Sequence, residues 1–125
     1  MGWNDIKLNK QDRWFSNYVR EKAHWRCEKC GKLCKIGTEH IFALQASHYF
    51  SRSHWNVRYD PENVYALCAG CHRRMGGYTT HGHGEYDIFV KNKLGKIKYN
   101  KLLLRAHQKG TKDPKLIDLY LKTLP

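Results

Sequence analysis

The sequence predicts an α+β fold in which a zinc ion staples two short strands to a helix, with further helices at both ends. Three observations lead to this prediction. Two C-x-x-C pairs are widely separated in the chain, two short runs rich in strand-forming residues lie between them, and segments with helical periodicity flank the pairs. The predicted order is therefore cysteine turn, strand, loop, strand, cysteine turn and helix.

The length of 125 residues suits a single domain with extensions. A chain of this size can bury about two-thirds of its unfolded surface, which is enough for a modest core. We expect that core over about residues 25–95, a helix before it over about 10–24, and a basic helical extension after it over about 96–125. The two predicted strands fall within residues 41–50 and 63–68.

Four cysteines are the predicted zinc ligands. Cys27 and Cys30 form the first pair, and Cys68 and Cys71 form the second. Each pair can place two thiolates on one side of a tight turn, and two such turns complete a tetrahedral sulfur shell around Zn2+. Free thiols or disulfides are the alternative, and no secretory pattern favours disulfides. We expect Cys34 to be a small buried or surface residue, with a place in the zinc shell as its alternative.

Capping residues mark the predicted helices. Asn9 is an expected N-cap with Asp12 as its capping-box partner, and Gly95 is expected to end a helix that starts near residue 86. Asp113 and Pro114 mark the start of a last short helix. The side chains expected to face the core are Trp14, Tyr18 and Val19 in the first helix, and Leu116, Leu119 and Tyr120 in the last.

The charge balance points to a polyanionic partner. Lys and Arg total 23 against 11 Asp and Glu, which gives a net charge of +12 and an isoelectric point of about 9.6. Such a surplus attracts nucleic acid, although it does not identify the partner by itself. No apolar run suits a membrane span, and no signal peptide is visible, so we expect a cytoplasmic protein with reduced cysteines.

The segment around the second cysteine pair carries the most specific pattern. Asn63 lies five residues before Cys68, and His72 directly follows Cys71. The string resembles the N-x-x-x-L-C-x-x-C-H signature of HNH endonucleases, the ββα-metal (His-Me finger) superfamily, with His48 as the first histidine of the name. The longer strings over residues 45–52 and 58–63 are similar to the NinG/Rap-type recombination nucleases and related small HNH proteins of phages and prophages.

This resemblance covers roughly residues 27–95 and implies a metal-dependent DNA endonuclease of phage or prophage origin. His48 would be the general base, because a neutral imidazole can take a proton from water. His72 would bind a catalytic Mg2+ or Mn2+ that contacts the scissile phosphate. Asn63 would tie the intervening loop to the active site through side-chain hydrogen bonds, with an ordinary turn cap as the alternative.

One position departs from the common HNH pattern. Many HNH enzymes carry Asp immediately before the first histidine as a metal ligand, whereas this chain has Ser47 there. A hydroxyl is a weak ligand for a hard cation. The second protein ligand is therefore open: it could be Ser47 directly or through water, Gln45, or a histidine from elsewhere such as His83. His48 itself could also contribute to metal binding.

Basic side chains are the remaining site candidates. Arg52 lies four residues beyond His48 and could clamp a phosphate, with a solvent-facing position as the alternative. Lys98, Lys101 and Arg105 recur at helical spacing and are expected to share one face, which could bind DNA or simply be solvated. The complete set of predicted DNA contacts is Arg58, Arg73, Arg74, Lys98, Lys101 and Arg105.

The leading hypothesis is thus an HNH-type endonuclease that nicks or cuts duplex or branched DNA. The alternative is a non-catalytic zinc-finger DNA-binding module that kept the fold and lost cleavage, and Ser47 is the residue that favours it. A structural zinc protein that binds another protein is a third hypothesis, which the positive charge disfavours. Monomer and homodimer are both open.

Overall fold

The computed structural model describes residues 8–34, 44–75 and 84–125, and the structural statements below refer to those ranges. The elements follow the predicted order and confirm the α+β fold with flanking helices. They are α1 (Lys10–Lys22), β1 (Leu44–His48), a 3-10 turn (Trp55–Val57), β2 (Val64–Cys68), α2 (Ala69–Met75), α3 (Glu85–Ala106) and α4 (Pro114–Leu121).

Strands β1 and β2 form an antiparallel pair that continues directly into α2. Leu44 pairs with Cys68, and His48 pairs with Val64 at the other end of the ladder. Every residue of β2 is buried. The backbone N–H of Glu28 donates to the carbonyl of Ala66 at 2.8 Å, and the Ala66 N–H donates to the Glu28 carboxylate at 2.8 Å. The first cysteine turn therefore covers the outer edge of β2.

Helix α1 begins with the predicted capping box. The Asn9 side chain accepts from the Asp12 N–H at 2.7 Å, and the Asp12 carboxylate accepts from the Asn9 N–H at 2.9 Å. Phe15 and Val19 are buried in the core. The prediction that Trp14 faces the core is wrong, because its side chain is 47% exposed and stacks on Tyr18 at the surface.

Helix α3 bends where the sequence predicts a break. Gly95 has φ 80° and ψ 167°, a backbone conformation that disfavours side-chain-bearing residues, so it separates two helical halves. Tyr86 and Val90 of the first half and Leu102 and Ala106 of the second half are buried. Within the described ranges, none of the helices combines the length and the apolar character that spanning a bilayer requires.

Helix α4 starts as predicted but turns a different face inward. The Asp113 side chain caps it, and Pro114 occupies its first turn. Ile117 and Leu121 are the buried residues. The prediction that this helix faces the core with Leu116, Leu119 and Tyr120 is wrong. These residues are 52%, 61% and 41% exposed, respectively.

The segment after α3 packs against the loop that joins the strands. The Asn56 side-chain amide donates to the carbonyl of Arg105 at 2.9 Å. Gly110 lies against the same turn, where an added Cβ would stand 2.3 Å from the Asn56 backbone nitrogen. Arg105 bridges Asp60 at 2.8 Å and Glu62 at 3.0 Å. The end of α3 therefore holds the loop that follows His48.

We expect Gly110→Ala to lower the free energy of unfolding by about 1–3 kcal/mol, because the new methyl group would force the backbone away from Asn56. Chemical denaturation measures the change. Gly70→Ala is the matched control, since an added Cβ there meets nothing within 4 Å. Equal stabilities for the two variants would contradict the close approach.

Candidate metal centre and active site

The four predicted zinc ligands come together. The sulfur atoms of Cys27, Cys30, Cys68 and Cys71 all lie within 4.8 Å of one another, and those of Cys30 and Cys68 are 3.8 Å apart. Tetrahedral zinc with bonds of about 2.3 Å would set neighbouring sulfurs about 3.8 Å apart. Gly31 follows the first pair with φ 81°, which completes its tight turn. The cluster can hold a metal ion.

The thiols of the cluster interact closely with one another. Burial, and then hydrogen bonds with the thiols of Cys68, Cys30 and Cys27, raise the pKa of Cys71 to about 12, whereas at Cys27 the effect of burial is outweighed by backbone hydrogen bonds, which lower its pKa to about 7. Four adjacent thiolates are therefore unfavourable without a compensating positive charge. Cys34 is buried but lies outside the cluster, and burial raises the pKa of its thiol. This agrees with the expectation of a small buried residue.

His48 presents one free ring nitrogen. Its Nε2 lies 2.9 Å from the carbonyl oxygen of Arg58. A carbonyl can only accept, so Nε2 carries the proton and Nδ1 of the neutral ring is unprotonated. Nδ1 is buried and has no hydrogen-bond partner within the described residues. Burial, and then the nearby charge of Arg52, lower the pKa of His48 to about 3, which keeps the ring neutral at pH 7.

Arg58 is part of the interior, which corrects its prediction as a DNA contact. Its Nε and Nη2 donate to the two oxygens of Asp12 at 3.0 and 2.7 Å, and Nη1 donates to the carbonyl of Arg52 at 3.1 Å. The side chain is only 7% exposed, and the guanidinium lies 4.1 Å from the ring centroid of Trp55. A buried guanidinium with these partners has no face left for a phosphate.

His72 lies at the end of the second cysteine turn, in α2, and contacts Gln45. The Nδ1 of His72 is hydrogen-bonded to the side-chain oxygen of Gln45. Burial, and then Arg52, lower the pKa of His72. Gln45, Ala69, His72 and Arg73 line an open pocket of about 440 Å³. An imidazole and an amide oxygen therefore meet at an accessible surface.

The positive charge of Arg52 acts on both His48 and His72. Arg52 is half-buried, and its Nε is buried with no hydrogen-bond partner in the part of the chain that the structure describes. Its positive charge lowers the pKa of both His48 and His72, so both rings lie within its electrostatic reach. Buried polar atoms are almost always paired in native proteins. Among the described residues, Arg52 Nε and His48 Nδ1 therefore leave room for a polar partner, either a water molecule or a ligand.

Asn63 holds the loop that carries these residues. It is fully buried; its side-chain nitrogen donates to the carbonyls of Phe50 at 2.9 Å and Val57 at 3.0 Å, and its oxygen accepts from the Phe50 N–H at 2.8 Å. These bonds join the two ends of the loop segment just after β1. The geometry matches a tie within the loop rather than a metal contact.

The structure narrows the choice of a second metal ligand. Ser47 is 1% exposed, and its hydroxyl accepts a hydrogen bond from the Tyr86 hydroxyl at 2.9 Å. This placement corrects the prediction that Ser47 could contact the ion. His83 lies outside the described residues. Gln45, which the sequence left open, is the side chain that meets His72.

The remaining basic candidates divide into paired and unpaired groups. Arg105 is half-buried and paired with two carboxylates, and its role as a DNA contact stays a prediction. Arg74 pairs with Glu85 at 3.3 Å at the surface. Three candidates are exposed and form no ion pair within the described residues: Arg73, Lys98 and Lys101.

Comparison with known proteins agrees with this geometry. Residues 27–77 match the family model of the HNH endonucleases, a segment that includes the four-cysteine cluster, both strands and α2. Over this segment the chain is similar to the HNH endonucleases.

A phage protein extends the comparison beyond that segment. The chain is 29% identical over 87 residues to a probable HNH endonuclease of Lactococcus phage SK1, which covers 66% of this chain and 84% of that protein. No solved structure matches the chain significantly. The narrower similarity to NinG/Rap-type nucleases stays a prediction, as does the cytoplasmic location.

We expect the purified protein to carry one equivalent of tightly bound metal, and Cys68→Ala to lose both metal and fold, because binding and folding are coupled at such a site. Elemental analysis and circular dichroism measure the two properties. Cys34→Ala is the control and should keep the metal. A folded Cys68→Ala protein with an unchanged melting temperature would refute the structural role.

Proposed function

We propose that this protein is a metal-dependent DNA endonuclease in which His48 activates water and His72 binds the catalytic ion. The observation that supports this most directly is the unprotonated Nδ1 of His48, which has no hydrogen-bond partner among the described residues, together with Arg52, whose charge lowers the pKa of both His48 and His72. A neutral base, a candidate metal ligand and a nearby positive charge suit attack on a phosphodiester.

His48 is suited to accept a proton from water. The Arg58 carbonyl fixes the Nε2–H tautomer, which leaves Nδ1 as the basic atom. Its depressed pKa keeps the ring unprotonated, so the base is available at neutral pH. The cost is weak basicity, which an activated, more acidic water would offset.

His72 and Gln45 would hold the catalytic ion. The Gln45 oxygen only accepts, so the His72 nitrogen bonded to it carries a proton, and an ion would bind there once that hydrogen bond breaks and the ring changes tautomer. The freed nitrogen and oxygen suit Mn2+ or Mg2+, and the pocket beside them is open to a substrate. When bound, such an ion neutralises charge on the scissile phosphate and on the leaving oxygen. The amide oxygen of Gln45 is a weaker ligand than a carboxylate, which implies modest metal affinity.

Arg52 would bind the scissile phosphate. Its charge lowers the pKa of both histidines, and its buried Nε lacks a partner within the described residues. A planar guanidinium can donate two hydrogen bonds to a phosphate. Placing this group on the loop fixed by Asn63 gives the phosphate a defined position relative to the His48 base.

The four-cysteine cluster would hold zinc and stabilise the backbone that carries the proposed site. Four thiolates at this spacing favour Zn2+. Cys71 adjoins His72 in α2, so an ion in the cluster would fix the start of the helix and with it the catalytic imidazole. A structural metal would thus preorganise the catalytic one.

Exposed basic residues would bind the DNA backbone. Arg73 lines the pocket beside His72, and Arg74 follows it on α2. Lys98 and Lys101 lie exposed on α3. Contacts to phosphates from such residues would give affinity that falls with salt and little sequence preference.

The central test is plasmid cleavage. We expect the protein to convert supercoiled plasmid to relaxed or linear DNA only when Mn2+ or Mg2+ is present, and His48→Ala to lose at least about 100-fold in rate because the general base is gone. Agarose gels measure the products. The opposite outcome is a zinc-loaded protein that binds DNA but cuts none of the plasmid, branched and single-stranded substrates. That result would favour the non-catalytic DNA-binding module.

A second test addresses the metal ligand. Gln45→Ala should raise the Mn2+ concentration for half-maximal cleavage by about tenfold or more, because the ion loses a ligand. Gln45→Glu should lower that concentration, since a carboxylate binds a hard cation more tightly. Ser47→Ala is the matched control on the same strand and should leave the Mn2+ dependence unchanged. A shift for Ser47→Ala without one for Gln45→Ala would reverse the assignment.

A further inference from the structure

A buried ion pair connects the first helix to the proposed base. We propose that Asp12 is a positioning residue for the nuclease site: through Arg58 it fixes the carbonyl group that sets the tautomer of His48. This inference rests on the proposed function only in taking His48 as the base. The inference adds a residue of α1 to the proposed site. Helix α1 lies outside the segment that matches the HNH family model.

The connection runs through three consecutive contacts. The Asp12 carboxylate accepts two hydrogen bonds from the Arg58 guanidinium, at 3.0 and 2.7 Å. The backbone carbonyl of Arg58 then lies 2.9 Å from Nε2 of His48. Both ends of Arg58 are thus engaged: its side chain by α1 and its backbone by the imidazole.

Asp12 is itself held rigidly. It is 3% exposed, and its two oxygens also accept from the Asn9 N–H at 2.9 Å and the Tyr59 hydroxyl at 3.0 Å. Burial would raise the pKa of this carboxyl, but hydrogen bonds from Arg58 and Asn9 bring it below its ordinary value. The group therefore stays ionised and has little freedom to rotate.

Arg58 also fixes the segment that carries Arg52. Its Nη1 donates to the Arg52 carbonyl at 3.1 Å, while Trp55 covers one face of the guanidinium. The same ion pair thus orients the acceptor for His48 and the backbone of the proposed phosphate clamp. Apolar packing could join α1 to the loop equally well, but only directional hydrogen bonds restrict the orientation of Arg58.

The test compares Asp12→Asn with Asn9→Ala in the full zinc-loaded chain. Asp12→Asn removes the charge that holds Arg58 and keeps the side-chain shape. Asn9→Ala weakens the same helix cap, through loss of the side-chain bond to the Asp12 N–H, and leaves the ion pair in place. Both should lower the melting temperature by a few degrees, so stability alone cannot separate them.

Two measurements separate positioning from stability. Long-range proton–nitrogen NMR of the imidazoles reports the tautomer of His48, whose signals are identified by their loss in His48→Gln. We expect a single Nε2–H form in wild type and Asn9→Ala, and a mixture of tautomers in Asp12→Asn. With plasmid and Mn2+, kcat of Asp12→Asn should fall about tenfold or more at nearly unchanged KM, while Asn9→Ala keeps its kcat.

An unchanged His48 tautomer in Asp12→Asn would overturn the proposal, and so would an equal loss of kcat in Asn9→Ala. If Asp12→Asn fails to fold, Arg58→Lys decides, because it keeps the buried charge and loses the two-pronged hydrogen bond; it should show the same tautomer mixture. A wild-type protein that cuts no DNA would refute the proposed function, and the NMR comparison would still decide the role of Asp12.

Discussion

The four-cysteine cluster is the constraint on which the rest of the structure depends. It joins the turn after α1 to the turn between β2 and α2, and a metal ion bound by its sulfur atoms would fix both turns together. Because His72 directly follows Cys71, the cluster determines where the His72 imidazole lies. The fold and the site are therefore set by the same four sulfur atoms.

The loop between the strands is the second requirement, and polar contacts hold it. Asn63 closes it from within, while the buried Arg58 ties it to α1 and Arg105 ties it to α3. A loop with little regular structure carries Arg52 and the acceptor for His48, so its shape must come from such directional contacts. This explains why Arg58, a predicted DNA contact, is an interior residue, and why the half-buried Arg105 is paired with two carboxylates of the loop.

The sequence was most informative where chemistry requires fixed spacing. The spacing of the cysteine pairs predicted the four-sulfur cluster, whereas His48, Asn63 and His72 were predicted as site residues from the resemblance to HNH endonucleases. Helix faces were less certain: in α4 the predicted apolar side missed Ile117 and Leu121, since neighbouring leucines allow two alternative stripes. The Asp12–Arg58 pair joins positions 46 residues apart, and no local pattern signals it; the preference for Gln45 over Ser47 likewise depends on side-chain packing.

Glu28 covers the outer edge of β2, and this contact bears on how the protein behaves in solution. β2 is short, apolar and free of charged residues, and its outer hydrogen-bonding groups are occupied by the turn that the cysteines shape. If the cluster holds a metal ion, its removal would loosen that turn and expose the strand edge to pairing with another molecule. Chelators would then promote aggregation of this chain, so the same four sulfur atoms would affect solubility as well as fold.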